Sequence, residues 1–276
     1  MELFNKAVII GTGLIGGSLG LDLKKRRLVR EVVGLSRNRK NAGFAKKAGA
    51  IDSVGSSLEE VRDADLVVLA MPPEAIIATA CKISGKIKKG CVVIDVGSSK
   101  EKIVSEAGRS IPFFVGCHPL SGSEKRGVGN LSSGIFNNSI CIITPTAKTD
   151  KKVLRKVTLL WNKLGSKVVI LSPERHDRIL AFTSHLPHAV AFSLVRSIPD
   201  AFLGLCSGGF KDTTRISASD GNLWSEVFLS NRDKLLLCIS AFQNNLSSLK
   251  LALQKKDKKT LVKILSSAKR KRDKIR

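Results

Sequence analysis

The apolar run Ala7-Val8-Ile9-Ile10 stops on Gly11-Thr12-Gly13-Leu14-Ile15-Gly16, and this junction constrains the chain more than any other stretch. A β-branched run that passes at once through GxGxxG into helix-forming sequence is the first strand, turn and helix of a dinucleotide-binding unit. Gly11 allows the tight turn, Gly13 lets backbone approach a pyrophosphate, and Gly16 lets helix and strand pack closely. The helix start then turns its N–H groups toward the phosphates. Thr12, Leu14 and Ile15 complete the expected cofactor-binding loop.

Short β-branched runs continue to alternate with helical stretches. Lys6–Ile10, Val32–Leu35, Leu66–Ala70, Cys91–Val96, Phe113–Gly116, Ile140–Thr144 and Lys167–Leu171 read as strands. Leu14–Arg26, Pro73–Ser84 and Lys151–Leu164 read as helices between them. Such alternation implies right-handed crossovers and a mostly parallel sheet covered on both faces. From Ser172 the period changes: Ser172-Pro173 is a capped helix start, and the remainder reads as helical throughout. Leu235, Ile239, Phe242, Leu246, Leu249 and Leu253, spaced 4, 3, 4, 3, 4, form one apolar stripe suited to a neighbour or a partner subunit. A further helix is expected over roughly Lys258–Lys269. The expected class is therefore α/β, a Rossmann-type doubly wound, mostly parallel sheet over 1–171, followed by an all-helical C-terminal domain over 172–276. No flexible linker separates the two parts, so direct packing is expected.

The second strand decides which nicotinamide cofactor is expected. A strand that serves NAD ends in Asp or Glu, which holds the ribose hydroxyls. Here Val32-Val33-Gly34-Leu35 runs into Ser36-Arg37-Asn38-Arg39, and Glu31 stands at the wrong end. Ser36 and Arg37 suit a 2′-phosphate that a carboxylate would repel, so NADP is the expected cofactor and NAD the alternative.

Of the 276 residues, 47 are Lys or Arg and 23 Asp or Glu, a formal charge of +24. Nucleic acid is not the expected partner: basic residues are spread along the chain, aromatics make up 5% with no tyrosine, and no zinc-finger, RRM or KH pattern appears. The basic surface would instead help draw in an anionic small molecule. No apolar run reaches the ~18 residues of a membrane span, and MELFNKAVII lacks the basic start of a secretory signal, so a cytoplasmic protein without membrane contact is expected. The six cysteines lie far apart without a CxxC pair and read as reduced, mostly buried thiols.

Ligands of open α/β sheets sit beyond the carboxyl ends of the strands. Two such ends carry reactive groups: Cys91–Val96 runs into Gly97-Ser98-Ser99-Lys100, and Phe113–Gly116 runs into Cys117-His118-Pro119. A serine and a histidine beside a nicotinamide suit oxidation of an alcohol, with a satisfied structural histidine as the alternative. Pro72, at the end of the strand before, is counted with the cofactor-binding residues. In the helical half, Ser184-His185-Leu186-Pro187-His188 places two histidines on one helical face without a third ligand at zinc spacing, so no metal is expected. Gly208-Gly209-Phe210-Lys211-Asp212-Thr213-Thr214-Arg215 reads as a close-approach loop feeding an anion-binding helix.

Taken together, GTGLIGGSLG, DVGSSK, GCHPLSGSEKRGV, SHLPHAVAF and GGFKDTTRISASD, in this order, resemble the prephenate/arogenate dehydrogenase family of tyrosine biosynthesis. The resemblance covers about residues 6 to 270 and implies a nucleotide-binding domain followed by a helical dimerisation domain, hence a homodimer. It implies an oxidative decarboxylation: hydride passes from the carbon bearing the ring hydroxyl to the nicotinamide, the hydroxyl proton is taken, and carbon dioxide leaves. By the same resemblance His118 is the base and Ser98 orients it. Arg215 holds a substrate carboxylate, and His188 places the other end of the substrate, with Ser184 beside it. Glu124 and Asp212 match positions expected to gate or orient. Trp224 matches a position that completes the pocket, although a buried core tryptophan is the favoured reading. Retention of His188 points to prephenate, whereas an NADP-type turn points toward arogenate. A 3-hydroxy acid dehydrogenase of the same layout is the rival, and it relies on a lysine where this chain offers histidines and an arginine. No regulatory or mutase domain is expected.

Overall fold

The computed structural model describes residues 2–121 and 128–275. They form two compact units, 1–231 and 232–276.

In the first unit, strands and helices alternate from β1 (Phe4–Ile10) and α1 (Leu14–Lys25) through β2 (Val29–Leu35), α2 (Arg39–Lys47), β3 (Ser53–Val54), β4 (Leu66–Leu69), α3 (Pro73–Ile83), β5 (Val92–Asp95) and α4 (Glu101–Ser110). They continue through β6 (Phe114–Pro119), β7 (Ile140–Thr144), α5 (Lys151–Lys163) and β8 (Lys167–Ile170). One eight-stranded sheet results, in the order β3-β2-β1-β4-β5-β6-β7-β8. Its first six strands are parallel in the doubly wound order, and β7 runs antiparallel to β6. Pleating sorts the core: Ala7 and Ile9 point into one apolar layer with Leu19, Leu23 and Trp161, while Val8 and Ile10 point into the other with Ile76, Ala80 and Ile103.

Most of the expected elements form within a residue or two of their expected ends. The correction that matters is at β6. The sequence reading ends this strand at Gly116, but it continues through Cys117 and His118 to Pro119 because β7 pairs with it, His118 opposite Ile142 and Pro119 opposite Cys141. That partner lies more than twenty residues away, so no local signal announces it. Helices α2 and α4 and the two-residue β3 are further elements that the periodicity left unassigned.

Beyond the sheet come α6 (Pro173–Leu180), a π turn (Ala181–His185), α7 (Leu186–Arg196), α8 (Gly208–Thr214) and α9 (Gly221–Ser230). Ser172 caps α6 by accepting from Arg175 N at 3.2 Å. Pro187 explains the π turn. It has no N–H to donate, and its ring crowds the carbonyl a turn earlier, so the helix widens ahead of it and Leu186 N bonds Ala181 O, five residues back. The second unit is a pair of helices packed on each other, α10 (Arg232–Gln254) and α11 (Lys258–Arg272). Asp257 starts α11 by accepting from Thr260 N. Among the described residues, no helix is long and apolar enough to cross a membrane. Of the six thiols, all free, Cys91, Cys117, Cys141 and Cys238 are buried.

Candidate active site

Strand register sets the level of the site. Ile10 pairs with Leu69, Leu69 with Asp95, and Asp95 with Gly116, so these four residues form one row across the sheet. The residues just past that row, Gly11, Ala70 to Pro72, Val96 to Ser98 and Cys117 to His118, therefore share the carboxyl edge. A cleft of about 1000 Å³ opens there, walled on the far side by the α6–α7 and α8–α9 segments, all within the first unit.

At its nucleotide end the loop is shaped by close approach. Gly11 has φ +103°, and a Cβ on it would lie 2.1 Å from Ala70 O. A Cβ on Gly16 would lie 2.0 Å from Gly11 O. Gly13, by contrast, opens onto free space at the start of α1, where no acidic residue stands in the first turn. Thr12 Oγ1 is buried without a hydrogen-bond partner. An uncapped helix start with open space in front of it fits a phosphate. Gly13, Leu14, Ile15, Gly16 and Pro72 line the cleft, whereas Gly11 and Thr12 stand behind it and shape the turn. Ser36 and Arg37 follow β2 outside the cleft lining, with Arg37 exposed, and Asn38 caps α2 through Lys40 N at 2.9 Å. Glu31 is level with Lys6, at the opposite end of the strand.

Ser98 and His118 line the middle of the cleft. They are tied together from below by a buried ion pair that the sequence reading did not single out. Lys100 Nζ bonds Asp95 Oδ2 and donates to Cys117 O at 2.9 Å, and Asp95 accepts from Gly97 N at 2.8 Å and Cys117 N at 3.3 Å. The loop carrying Ser98 is thus fastened to the strand carrying His118. A buried charge without such partners would be strongly destabilising.

Behind His118 stand two more residues missed from sequence. His118 Nδ1 is 2.8 Å from His176 Nε2, and His176 Nδ1 is 2.7 Å from Asp177 Oδ1. Asp177 also accepts from Lys100 N (2.7 Å) and Glu101 N (2.9 Å), the start of α4, where the helix dipole favours a carboxylate. Burial pushes both imidazoles below their ordinary pKa, His118 furthest, with the neighbouring His176 and Lys100 adding to it. Asp177 is held low by its bonds to His176 and to backbone despite its burial. A signal for this pair was available: within Pro173–Leu180, His176 and Asp177 share the inward face with Leu180, while Glu174, Arg175 and Arg178 face solvent.

The helical wall supplies Ser184, His185, His188, Arg215 and Trp224. His188 Nδ1 donates to Ser184 O at 2.9 Å, and its ring stacks on Trp224, with centroids 3.4 Å apart and planes 18° from parallel. Trp224 is thus a wall of the cleft and not a core residue. His185 is buried, and its Nδ1 accepts from the Asn231 amide at 3.2 Å. Its pKa is pushed down to about 4, first by burial. His188 is lowered by burial and by the Arg215 charge.

Three expectations differ from the structure or lie outside the described residues. Gly208 and Gly209 are not a close-approach loop: they open α8 after Ser207, and a Cβ on either meets nothing within 4 Å. Asp212 is exposed on α8, away from the cleft lining. Glu124 lies outside the described residues. Among the described residues, no group of three or more His, Cys, Asp or Glu is placed to hold a metal.

A doubly wound sheet with a glycine loop at one end of a cleft, and histidine, serine and arginine further along it, defines a nucleotide-dependent oxidoreductase. Comparison with known proteins is specific. The family description "prephenate dehydrogenase, nucleotide-binding domain" matches residues 19–170, and "prephenate dehydrogenase, dimerization domain" matches residues 172–267. The prephenate dehydrogenase of Bacillus subtilis (strain 168) is 32% identical over 99% of this chain and 76% of its own length. A crystal structure of prephenate dehydrogenase from Aquifex aeolicus, in complex with hydroxyphenyl propionate and NAD+, superposes with a TM-score of 0.92 at 35% identity, covering 99% of this chain and 98% of that one. The arogenate dehydrogenase of Synechocystis gives 0.84 at 28% identity, covering 98% and 99%. The chain belongs to the prephenate dehydrogenase family.

Proposed function

We propose that this chain carries out the oxidative decarboxylation of prephenate to 4-hydroxyphenylpyruvate with a nicotinamide cofactor, NADP in preference to NAD. The observation that carries the reading is one cleft lined both by the nucleotide loop (Gly13 to Gly16) and by Ser98, His118, His188 and Arg215.

A nicotinamide cofactor held at Gly13 to Gly16 would supply the acceptor for the hydride that leaves the carbinol carbon of the ring. His118 meets the hydroxyl on that carbon. Its Nδ1 is already engaged by His176, which leaves Nε2 for the substrate, and its lowered pKa keeps the ring neutral and able to accept a proton at neutral pH. Ser98, fastened to the His118 strand through Lys100 and Asp95, bonds the same hydroxyl and orients the imidazole. As the C–CO₂ bond breaks, its electron pair enters the ring, the ring oxygen becomes a phenolate, and His118 returns the proton to it. Arg215 anchors a substrate carboxylate through its planar guanidinium, and His188, braced between Ser184 O and Trp224, places the side-chain end. The basic turn Ser36-Arg37, with no carboxylate at the end of β2, supports the 2′-phosphate.

A second reading, arogenate, is favoured by one detail. With its Nδ1 proton given to Ser184 O, a neutral His188 presents a lone pair at Nε2, which suits an ammonium group better than a keto oxygen. A homodimer built through the 172–276 half fits the apolar stripe of α10, where Phe242, Leu246 and Leu253 stay exposed in the single chain. Turnover of prephenate and arogenate with NADP and NAD, followed as reduced cofactor, tests the reading. Prephenate with NADP is expected to give the largest kcat/KM, and replacing Arg37 by Ala to shrink the NADP advantage about tenfold. A larger kcat/KM with arogenate selects the second reading, and a strong NAD preference overturns the cofactor assignment.

A further inference from the structure

The chain has four histidines, and all of them are gathered here: His118, His185 and His188 line the cleft, and His176 stands one hydrogen bond behind His118. The partners fix the proton positions along this line. A carboxylate only accepts, so His176 Nδ1 carries the proton that it gives to Asp177. His176 Nε2 is then the acceptor, and the proton in the 2.8 Å contact belongs to His118 Nδ1. His118 Nε2 is left bare, on the side of the cleft. The order carboxylate, imidazole, imidazole thus points a lone pair outward and leaves an unbroken path inward.

We propose that His176, backed by Asp177, is a proton store for the reaction: as His118 Nε2 takes the hydroxyl proton of the substrate, the proton on His118 Nδ1 passes to His176 Nε2, and the same path runs backward when the phenolate forms. This rests on His118 being the base. The balance closes. The substrate O–H bond breaks and an N–H bond forms at His118 Nε2, while the Nδ1–H bond of His118 breaks and an N–H bond forms at His176 Nε2. The hydride carries two electrons to the nicotinamide, the electron pair of the departing carboxylate enters the ring, and the proton is returned to the ring oxygen with no net change.

Burial explains why a store is useful. Lys100 opposes a cation on either ring, but only a cation on His176 sits against the Asp177 carboxylate. Lys100, at the start of α4, and Asp95, at the end of β5, form an ion pair beside both rings, and His185, nine residues on from His176, also bears on them. His176 is a positioning residue that acts through His118; it touches neither substrate nor cofactor.

His176→Gln separates holding a proton from holding a ring. The Gln carbonyl still accepts from His118 Nδ1 and keeps its orientation, but it takes no proton near neutrality. The expected result is a kcat lower by roughly 10- to 100-fold, with KM within about twofold and the acid limb of kcat moved to lower pH. A kcat within about twofold of wild type with an unmoved limb would overturn the proposal. Nitrogen-15 NMR of the four histidine rings in the unaltered protein gives a test independent of both turnover and the variant's folding. Protons on Nδ1 of His118 and His176, with Nε2 of His118 bare, are expected, and a proton on Nε2 of His118 in the resting protein at neutral pH would overturn it. If the unaltered protein turns over neither prephenate nor arogenate, the functional reading fails on its own, while the ring-nitrogen pattern still decides whether the path exists.

Discussion

The two ends of the cleft are built on different physics. At the proposed nucleotide end, the β1–α1 loop is shaped by backbone: glycines at 11 and 16 clear room that a single Cβ would fill, and an uncapped helix start faces open space that suits a phosphate. No side chain there has to hold a particular protonation state. At the α6–α7 end the backbone is a widened helix, and the proposed function rests on buried and half-buried imidazoles whose hydrogen-bond partners dictate which nitrogen carries a proton. The first end is set by steric clearance at its glycines, and the second by the protonation of its imidazoles.

That contrast can be broken most sharply at Gly11. Gly11→Val places a β-branched residue at φ +103° with its Cβ against Ala70 O, and a stability loss of about 4 kcal/mol, together with loss of cofactor binding, is expected from denaturant melts and cofactor titration. Similar losses at pH 6 and pH 8 are expected, since nothing at that turn titrates in between. A variant that keeps wild-type stability would show that the turn is not sterically set.

The histidine end should respond to acid instead. A buried imidazole whose folded pKa lies below its unfolded value of about 6.5 costs nothing above that pH, where both states are neutral. As pH falls below 6.5 the unfolded chain takes up protons that the folded chain refuses, so stability declines until the folded pKa is reached. For His185, with a folded pKa of about 4, this amounts to about 3 kcal/mol lost between pH 6.5 and pH 4. His185→Gln is expected to flatten that part of the stability profile in urea melts; an unchanged slope would place the acid sensitivity elsewhere. Smaller again is Arg215→Ala, expected to raise KM for the substrate roughly 10- to 100-fold with little change in kcat. A fall in kcat alone would move Arg215 from anchoring to chemistry.

What was legible in the sequence divides along the same line. The β1–α1 loop was legible because its chemistry is local: glycine spacing after an apolar strand encodes both the turn and the close packing. The end of β6 was not, since Cys117-His118-Pro119 looks like a strand terminus until β7 supplies the antiparallel partner. His176 and Asp177 sat unremarked in a charged helix start because their value comes from His118 and the start of α4, residues nearly sixty and more than seventy positions away in sequence. Trp224 read more readily as a core residue, and the stack on His188 at the cleft wall corrects that reading. Gly208 and Gly209 misled in the other direction, as glycines near an arginine that turn out to begin a helix. Local steric rules are written in the sequence itself, whereas hydrogen-bonded lines of titratable groups are assembled by the fold.

In the proposed reaction a neutral His118, in the lining of the cleft, takes the ring hydroxyl proton. The direct test is turnover of prephenate by the unaltered chain and by His118→Asn, side by side, with reduced cofactor as the readout. We expect kcat to fall about 1000-fold in the variant with KM changed far less. Near-normal turnover by His118→Asn would contradict the account.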